Sequence, residues 1–442
     1  MSNDMSNDMS NDMSNDISNE TDAGVRQPSR FERVKVEVVS GGTQSPAPPA
    51  QADRSMMIFG TLGWLALFVF LFMKSPWTLA FVVGLAVSIM LHELGHFWTA
   101  RKSGMRATQF FLGFGPRIWS THRNGVEYGL RAIPLGGFVK IIGMTNVDDV
   151  APDDEPHTYR QGSYARRMWV ITAGSVMHAI IAVVLITAVY ATSGSYRESG
   201  RVTVQRVVAG SPADVAGLRP DDTVLSVGGT AVTKDKEVGA ALTTSHVPGD
   251  SIDLSIIRDG TPLTLQATLG QNPDVPDGQV KAFLGISYTS IDLVPMSFVS
   301  AITQGPKDLV VGVGTATVAI ARVINPVSVY GHLVGTNSDR STRPGTIVGA
   351  TNISSDVGKF DGWVGMLVFL ANINLVVGVF NMFPLLPLDG GHAAIATYER
   401  LRSRRGRRYY ADVNKLMPVA AVCIALLAFV FFTGLYLDTV RG

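Results

Sequence analysis

Histidines four residues apart on a helix share a face, so His92-Glu93-Leu94-Gly95-His96 presents two imidazoles to one metal ion, with Glu93 beside them. Two neutral imidazoles on zinc next to a carboxylate read as metal-assisted hydrolysis, in which the carboxylate takes a proton from the attacking water. A catalytic zinc wants three protein ligands and one open position. Asp389, far along the chain in Asn381-Met382-Phe383-Pro384-Leu385-Leu386-Pro387-Leu388-Asp389-Gly390, is the natural third. Pro384 and Pro387 prevent regular helix there and free amides and carbonyls to meet an extended substrate, while Asn381 can donate to the carbonyl under attack. His178 stands on a separate apolar segment, as a further ligand or as a packing group.

The elements that must position these residues are unusual for a hydrolase. Residues 77–90 carry no charge, and beyond the histidine motif the next charges are Arg101 and Lys102, so residues 77–100 are long enough to cross a bilayer. His92 lies roughly 22 Å along that helix, inside a hydrocarbon core of about 30 Å. Ionisable side chains at such depth are costly, which marks a functional site. The whole composition agrees: 46% hydrophobic and 17% charged residues, with a mean hydropathy of +0.22, describe a polytopic membrane protein with a soluble insert. A net charge of +1 argues neither for nor against nucleic acid, and none is expected as a partner. The single cysteine, Cys423, allows no intramolecular disulfide and no thiolate metal site.

In chain order, residues 1–54 begin with repeats of Met-Ser-Asn-Asp and read as a disordered tail without a secretory signal. Residues 56–73 are a first span, and Lys74-Ser75-Pro76 turns the chain into the histidine helix. Residues 105–143 are punctuated by Gly113-Phe114-Gly115-Pro116, Arg123-Asn124-Gly125 and Leu135-Gly136-Gly137, the pattern of a small β-sheet. Its aromatic residues suit the inner leaflet, and its edge can accept a substrate strand. Gly136, Gly137, Asn381 and Pro384 are the expected substrate-binding residues.

Residues 169–192, 363–383 and 417–437 are three more spans, and the basic runs at 101–167 and 400–408 belong inside by the positive-inside rule. Residues 200–290 alternate β-branched runs with turns at Pro248-Gly249-Asp250 and Asp259-Gly260, plus a short helix capped by Ser211. Residues 291–358 are an amphipathic stretch, with a helix at 307–324 lying on the outer surface rather than spanning.

Residues 200–290 resemble a PDZ domain, through Ser211-Pro212-Ala213, Ala216-Gly217-Leu218, Asp222 and Val227-Gly228-Gly229. The histidine motif in a membrane helix, the distant Asn-x-x-Pro-x-x-x-x-Asp-Gly and the intervening PDZ-like stretch together resemble the bacterial site-2 proteases, intramembrane zinc metalloproteases. The likeness covers roughly residues 77–440. It implies a polytopic α-helical membrane protein with a membrane-associated β-hairpin or sheet and an extracytoplasmic α+β PDZ domain. It implies one zinc ion per chain on His92, His96 and Asp389, with Glu93 as general base and Asn381 holding substrate or oxyanion. The substrate it implies is a single-pass membrane protein, such as an anti-sigma factor, cut within the bilayer to release a cytoplasmic regulator. Gly174-Ser175 and His178 depart from the Gly-Pro and later Asn of many members, and residues 56–73 have no counterpart in the simplest ones. A membrane-anchored binding protein with a structural metal and a metal transporter are the alternatives; Glu93 speaks against the first, and ligands gathered near one face against the second.

Overall fold

A computed structural model describes residues 54–144, 148, 150–272, 280–403, 407–411 and 413–440. All but the last residue of the tail expected over residues 1–54, and the basic Arg404 and Arg405, lie outside the described residues.

The chain opens with two apolar helices, α1 (Arg54–Lys74) and α2 (Pro76–Lys102), separated at Ser75, where Pro76 takes the first helical turn that tolerates it. Strands β1 (Ala107–Arg123) and β2 (Val126–Ile141) pair antiparallel around Asn124-Gly125, both at positive φ, as a tight hairpin turn requires. Two short 3₁₀ turns lead to helix α3 (Tyr164–Thr192). A β-rich stretch follows: β3 (Ser195–Val207), α4 (Pro212–Val215), β4 (Thr223–Val227), β5 (Thr230–Ala231), α5 (Asp235–Ser245), β6 (Ser251–Arg258), β7 (Thr261–Thr268), β8 (Gly270–Gln271), β9 (Ala282–Phe283) and β10 (Ile286–Val294). The chain then returns to helix with α6 (Phe298–Val323), α7 (Pro326–Val334), α8 (Ile347–Asn381), α9 (Asp389–Arg402) and α10 (Val413–Val440).

Among the described residues, five helices are long and apolar enough to cross a membrane: α1, α2, α3, α8 and α10. Each overlaps one of the five expected spans. Two boundaries differ from expectation. Helix α8 begins at Ile347 rather than near residue 363, with Gly362 breaking it at a positive φ that only glycine adopts readily. Its first part hides from a hydropathy reading because it carries Asn352, Asp356, Lys359 and Asp361. Helix α6 is also longer than the expected 307–324, and with α7 it passes the same test as a pair bent by 59° at Asn325-Pro326.

The described chain divides into two compact units. The first comprises residues up to 178, 317–352 and 376 onward. Here α1 lies on the hairpin, with Trp64 Nε1 donating to the Arg131 carbonyl at 3.1 Å. The hairpin is folded on itself, since residues 109–112 pair both with 127–130 and with 137–140, and Gly113 and Gly115 bend β1 while Gly136 bends β2. Glu127 ties the segments together, accepting from Arg117 at 2.6 Å and Gln109 at 3.1 Å. Burial raises its pKa, but these bonds and one from Ser120 outweigh that and hold the carboxyl below the usual range. Asp438 on α10 accepts from the Thr346 amide at 2.7 Å, which caps the start of α8.

The second unit comprises residues 179–316 and 353–375. Its sheet runs β10-β3-β4-β6-β7 with β5 on β4, closed over a core that includes Val202, Val204, Val227, Leu254, Ile256 and Leu284. Asp222, 1% exposed in its side chain, is clamped by Arg258 at 2.8 and 2.6 Å and accepts the Arg219 amide at 2.8 Å.

Candidate active site

The buried stripe of α2 runs Thr78, Phe81, Leu85, Ser88, His92, Gly95, His96 and Thr99. That is helical spacing, so the motif's histidines lie on the face turned to protein rather than lipid. Across from them, Asp389 is the first residue of α9. The backbone before it is tightly coiled: Leu385 N donates to Phe383 O at 2.7 Å and Leu388 N to Leu385 O at 2.8 Å. Glycines make that coil possible. A Cβ on Gly390 would stand 2.2–2.3 Å from Phe383 O and Met382 O, and one on Gly391 would stand 2.9 Å from Leu385 O.

These elements bring three ligand atoms together. His92 Nε2 and His96 Nε2 are 3.1 Å apart, and Asp389 Oδ2 is 3.5 Å from the first and 3.3 Å from the second. Donors held tetrahedrally about 2.0–2.1 Å from a zinc ion lie roughly 3.3–3.4 Å from one another. The spacing and the nitrogen-and-carboxylate donor set therefore fit zinc, and among the described residues this is the group of three that could hold a metal. His96 Nδ1 donates to the Val170 carbonyl at 2.8 Å, which fixes the ring and turns Nε2 toward His92 and Asp389.

Helix α3 closes the wall behind the histidines. A Cβ on Gly174 would fall 2.3 Å from His92 Cε1 and 2.4 Å from His96 Nε2, and one on Gly95 would fall 2.8 Å from the Ala173 carbonyl. Only glycine at both positions lets α2 and α3 approach this closely while the imidazoles stand between them. Gly174 is thus a site residue that the motif alone does not reveal. His178, one turn further, is 1% exposed and its ring centroid lies 4.9 Å from that of His92, but it does not belong to the ligand cluster.

A cavity of about 230 Å³ opens beside the three ligand atoms. Glu93, Gly137, Phe138, Val139, Asn381 and Pro387 line it, and the Val139 backbone hydrogen-bonds to Glu93. Among the described residues, segment 137–140 of β2 pairs with β1 on one side, and its other edge runs along this cavity. Gly137 permits the approach, since a Cβ there would lie 3.1 Å from Met90 Sδ and 3.4 Å from Glu93 Cγ. Of the four expected substrate residues, Gly137 and Asn381 line the cavity, whereas Gly136 serves the bend of β2 and Pro384 is exposed outside it. His392, one turn into α9, also lines the cavity. Its signal was its spacing of three from Asp389 on a helix whose existence the prolines and glycines conceal.

The model of peptidase family M50 matches residues 80–427. The zinc metalloprotease Rip1 of Mycobacterium tuberculosis is 34% identical over 382 residues, covering 78% of this chain and 93% of its own. That of Mycolicibacterium smegmatis is 33% identical over 384 residues, covering 79% of this chain and 93% of its own.

Proposed function

Because the chain belongs to peptidase family M50 and is a membrane-embedded zinc metalloprotease of the site-2 type, we propose that His92, His96 and Asp389 hold its zinc and that Glu93 is its general base. The single observation that carries this assignment is the triangle of ligand atoms 3.1–3.5 Å apart beside a cavity that Glu93 also lines. Zinc, when bound, polarises the scissile carbonyl and acidifies the attacking water. Glu93 accepts the proton of that water and returns it to the leaving amine. Asn381 donates to the oxygen of the carbonyl under attack. A helical substrate hides its carbonyls, so the reaction needs an extended strand, which the free edge at 137–140 accepts by main-chain pairing.

The substrate on this reading is a single-pass membrane protein, such as an anti-sigma factor, cut within its membrane segment to release a cytoplasmic regulator. The chain sits in the bacterial inner membrane with its N-terminus cytoplasmic. The sheet domain near residues 200–290 is a PDZ domain facing outside, where it excludes substrates with bulky ectodomains.

Glu93→Gln tests the assignment. The amide keeps the size and loses the proton acceptor, so zinc stays stoichiometric while cleavage of a membrane-embedded reporter falls by about 10²–10⁴-fold. Near-normal cleavage removes Glu93 as the base. Asp389→Ala, in contrast, loses zinc and activity together. If zinc persists in both variants and wild type cleaves nothing, the metal is structural and the chain acts as a membrane-anchored binding protein. For the outer domain, deletion of residues 200–290 lets an untrimmed substrate be cut; continued rejection of that substrate sinks the size-filter role.

A further inference from the structure

Where α3 begins and α9 ends, away from the metal centre, lies a second cavity of about 400 Å³. Its lining carries four arginines, Arg160, Arg167, Arg400 and Arg408, against one acid, Glu399. Two of these arginines are already engaged. Arg160 donates to Glu155 at 2.9 Å, and Arg167 pairs with Glu399 at 2.7 Å. Glu399 is engaged as well: its side chain is 7% exposed, Oε2 faces Arg167, and Oε1 accepts the Ala411 amide at 2.7 Å. Its single charge faces Arg167, and among the described residues it forms no ion pair with Arg400 or Arg408.

Arg400 and Arg408 are exposed at the mouth, and among the described residues neither has a carboxylate partner. Arg408 Nη1 donates to the Gln161 carbonyl at 3.1 Å, which orients its guanidinium toward the segment that lines the cavity. Among the described residues the mouth therefore carries two positive charges without a carboxylate partner, with the Tyr410 hydroxyl beside those of Tyr164 and Tyr409, which already meet Thr397 and Tyr398.

Chemistry and position narrow the ligand. Guanidinium forks with neighbouring hydroxyls suit the oxygens of a phosphate better than a point charge would. The volume is that of a small-molecule site rather than of a single ion. Tyr164 is the first residue of a helix apolar enough to cross a membrane, so the cavity lies level with the end of the hydrocarbon, where lipid headgroups sit.

We propose that this cavity binds a phosphate-bearing anion, supplied in the membrane by the headgroup of an anionic phospholipid. The site connects to the metal centre through the covalent frame. Arg167 lies one turn before Val170, whose carbonyl holds His96, and Glu399 and Arg400 lie on the helix that begins at Asp389. An anion shared between the start of α3 and the end of α9 braces the two helices that flank the zinc site.

The test uses the full chain in nanodiscs of phosphatidylcholine, titrated with a labelled short-chain phosphatidylglycerol. Wild type binds saturably, and the double variant Arg400→Gln, Arg408→Gln binds about tenfold or more weakly, having lost two charge-assisted contacts. A charge-matched control, Arg101→Gln with Lys102→Gln, keeps wild-type affinity. Competition by inorganic phosphate identifies phosphate alone as sufficient; binding that phosphate does not displace assigns the site to the lipid. Absence of saturable binding overturns the proposal, as does an unchanged double variant or an equal loss in the control. Should the double variant not fold, Arg408→Lys, which keeps the charge and loses the fork, must weaken binding several-fold, and unchanged affinity sinks the proposal.

Discussion

The two halves of the proposed metal site are built by opposite means. His92 and His96 are set by a regular helix, whose period alone aligns them with the buried stripe of α2. Asp389 is set by irregular backbone, coiled between two prolines and packed so closely that Gly390 has main-chain atoms where a Cβ would go. A helix gives position through many equivalent hydrogen bonds and tolerates change around it. A glycine-dependent coil gives position through a few close contacts and tolerates little. The Asp389 half is therefore the fragile one, and the fragile points of the histidine half, Gly95 and Gly174, lie where its helix meets a neighbouring one.

Gly390→Ala breaks the comparison hardest. Its Cβ would meet two backbone carbonyl oxygens at 2.2–2.3 Å, and backbone cannot step aside as a side chain can. Asp389 then shifts as a ligand; zinc content measured by elemental analysis falls well below one per chain, and reporter cleavage drops below detection. Gly174→Ala crowds the imidazoles at 2.3–2.4 Å and also lowers zinc affinity, by about 10–100-fold, as loss of a group that positions ligands does. If Gly174→Ala proves harsher than Gly390→Ala, the contrast between the halves is reversed.

Gly137→Ala sharpens the picture by leaving both halves intact. The contacts its Cβ would make, at 3.1 Å to Met90 Sδ and to the Phe111 carbonyl, ask for a few tenths of an ångström of movement. Zinc stays bound, while the strand edge backs away from Glu93 and kcat/KM falls by about tenfold. Loss of zinc from this variant would show that the hairpin supports the metal rather than the substrate.

The regular half was the legible half. Four-residue spacing, an uncharged run and two flanking basic residues identify α2 and its histidines without a structure, and Asn124-Gly125 and Asp259-Gly260 announce their turns, at positive φ in both cases. Asp389 was legible as a lone acid in an apolar context, but the helix it begins was not, because prolines precede it and two glycines follow it. Gly174 could be placed in a motif by resemblance, but its role could not be read: that role lies in what stands across from it, and sequence spacing carries no such information. The first part of α8 escaped for a related reason, its polar residues masking a helix that ends in an apolar span. Of the expected substrate residues, Gly136 bends β2 at a positive φ and Pro384 lies exposed outside the cavity, since a glycine or proline signals conformation more directly than contact.

The smallest effect on the metal centre belongs to the sheet domain, where Asp222 and Arg258 form a clamp between β4 and β6. Burial raises the Asp222 pKa, but hydrogen bonds from Arg258 and the Arg219 amide more than offset this and leave it below the ordinary aspartate value. A depressed folded-state pKa means that the unfolded chain binds the proton more readily. The clamp's contribution is accordingly complete above the unfolded value of about 4 and is lost as pH falls through the lowered folded value. Asp222→Asn removes the charge at every pH. It destabilises the domain by about 2 kcal/mol at pH 7, less than the roughly 3–5 of a fully enclosed pair, because Arg258 keeps some contact with solvent. Hydrogen exchange of β4 and β6 in the full-length protein reads this directly: exchange in the variant is faster at pH 7, and the gap to wild type narrows below pH 4 once intrinsic rates are divided out. Zinc content and cleavage of a small reporter remain at wild-type levels in the same sample. A gap that persists undiminished into acid would mean that packing, and not the ionised carboxylate, holds β4 against β6.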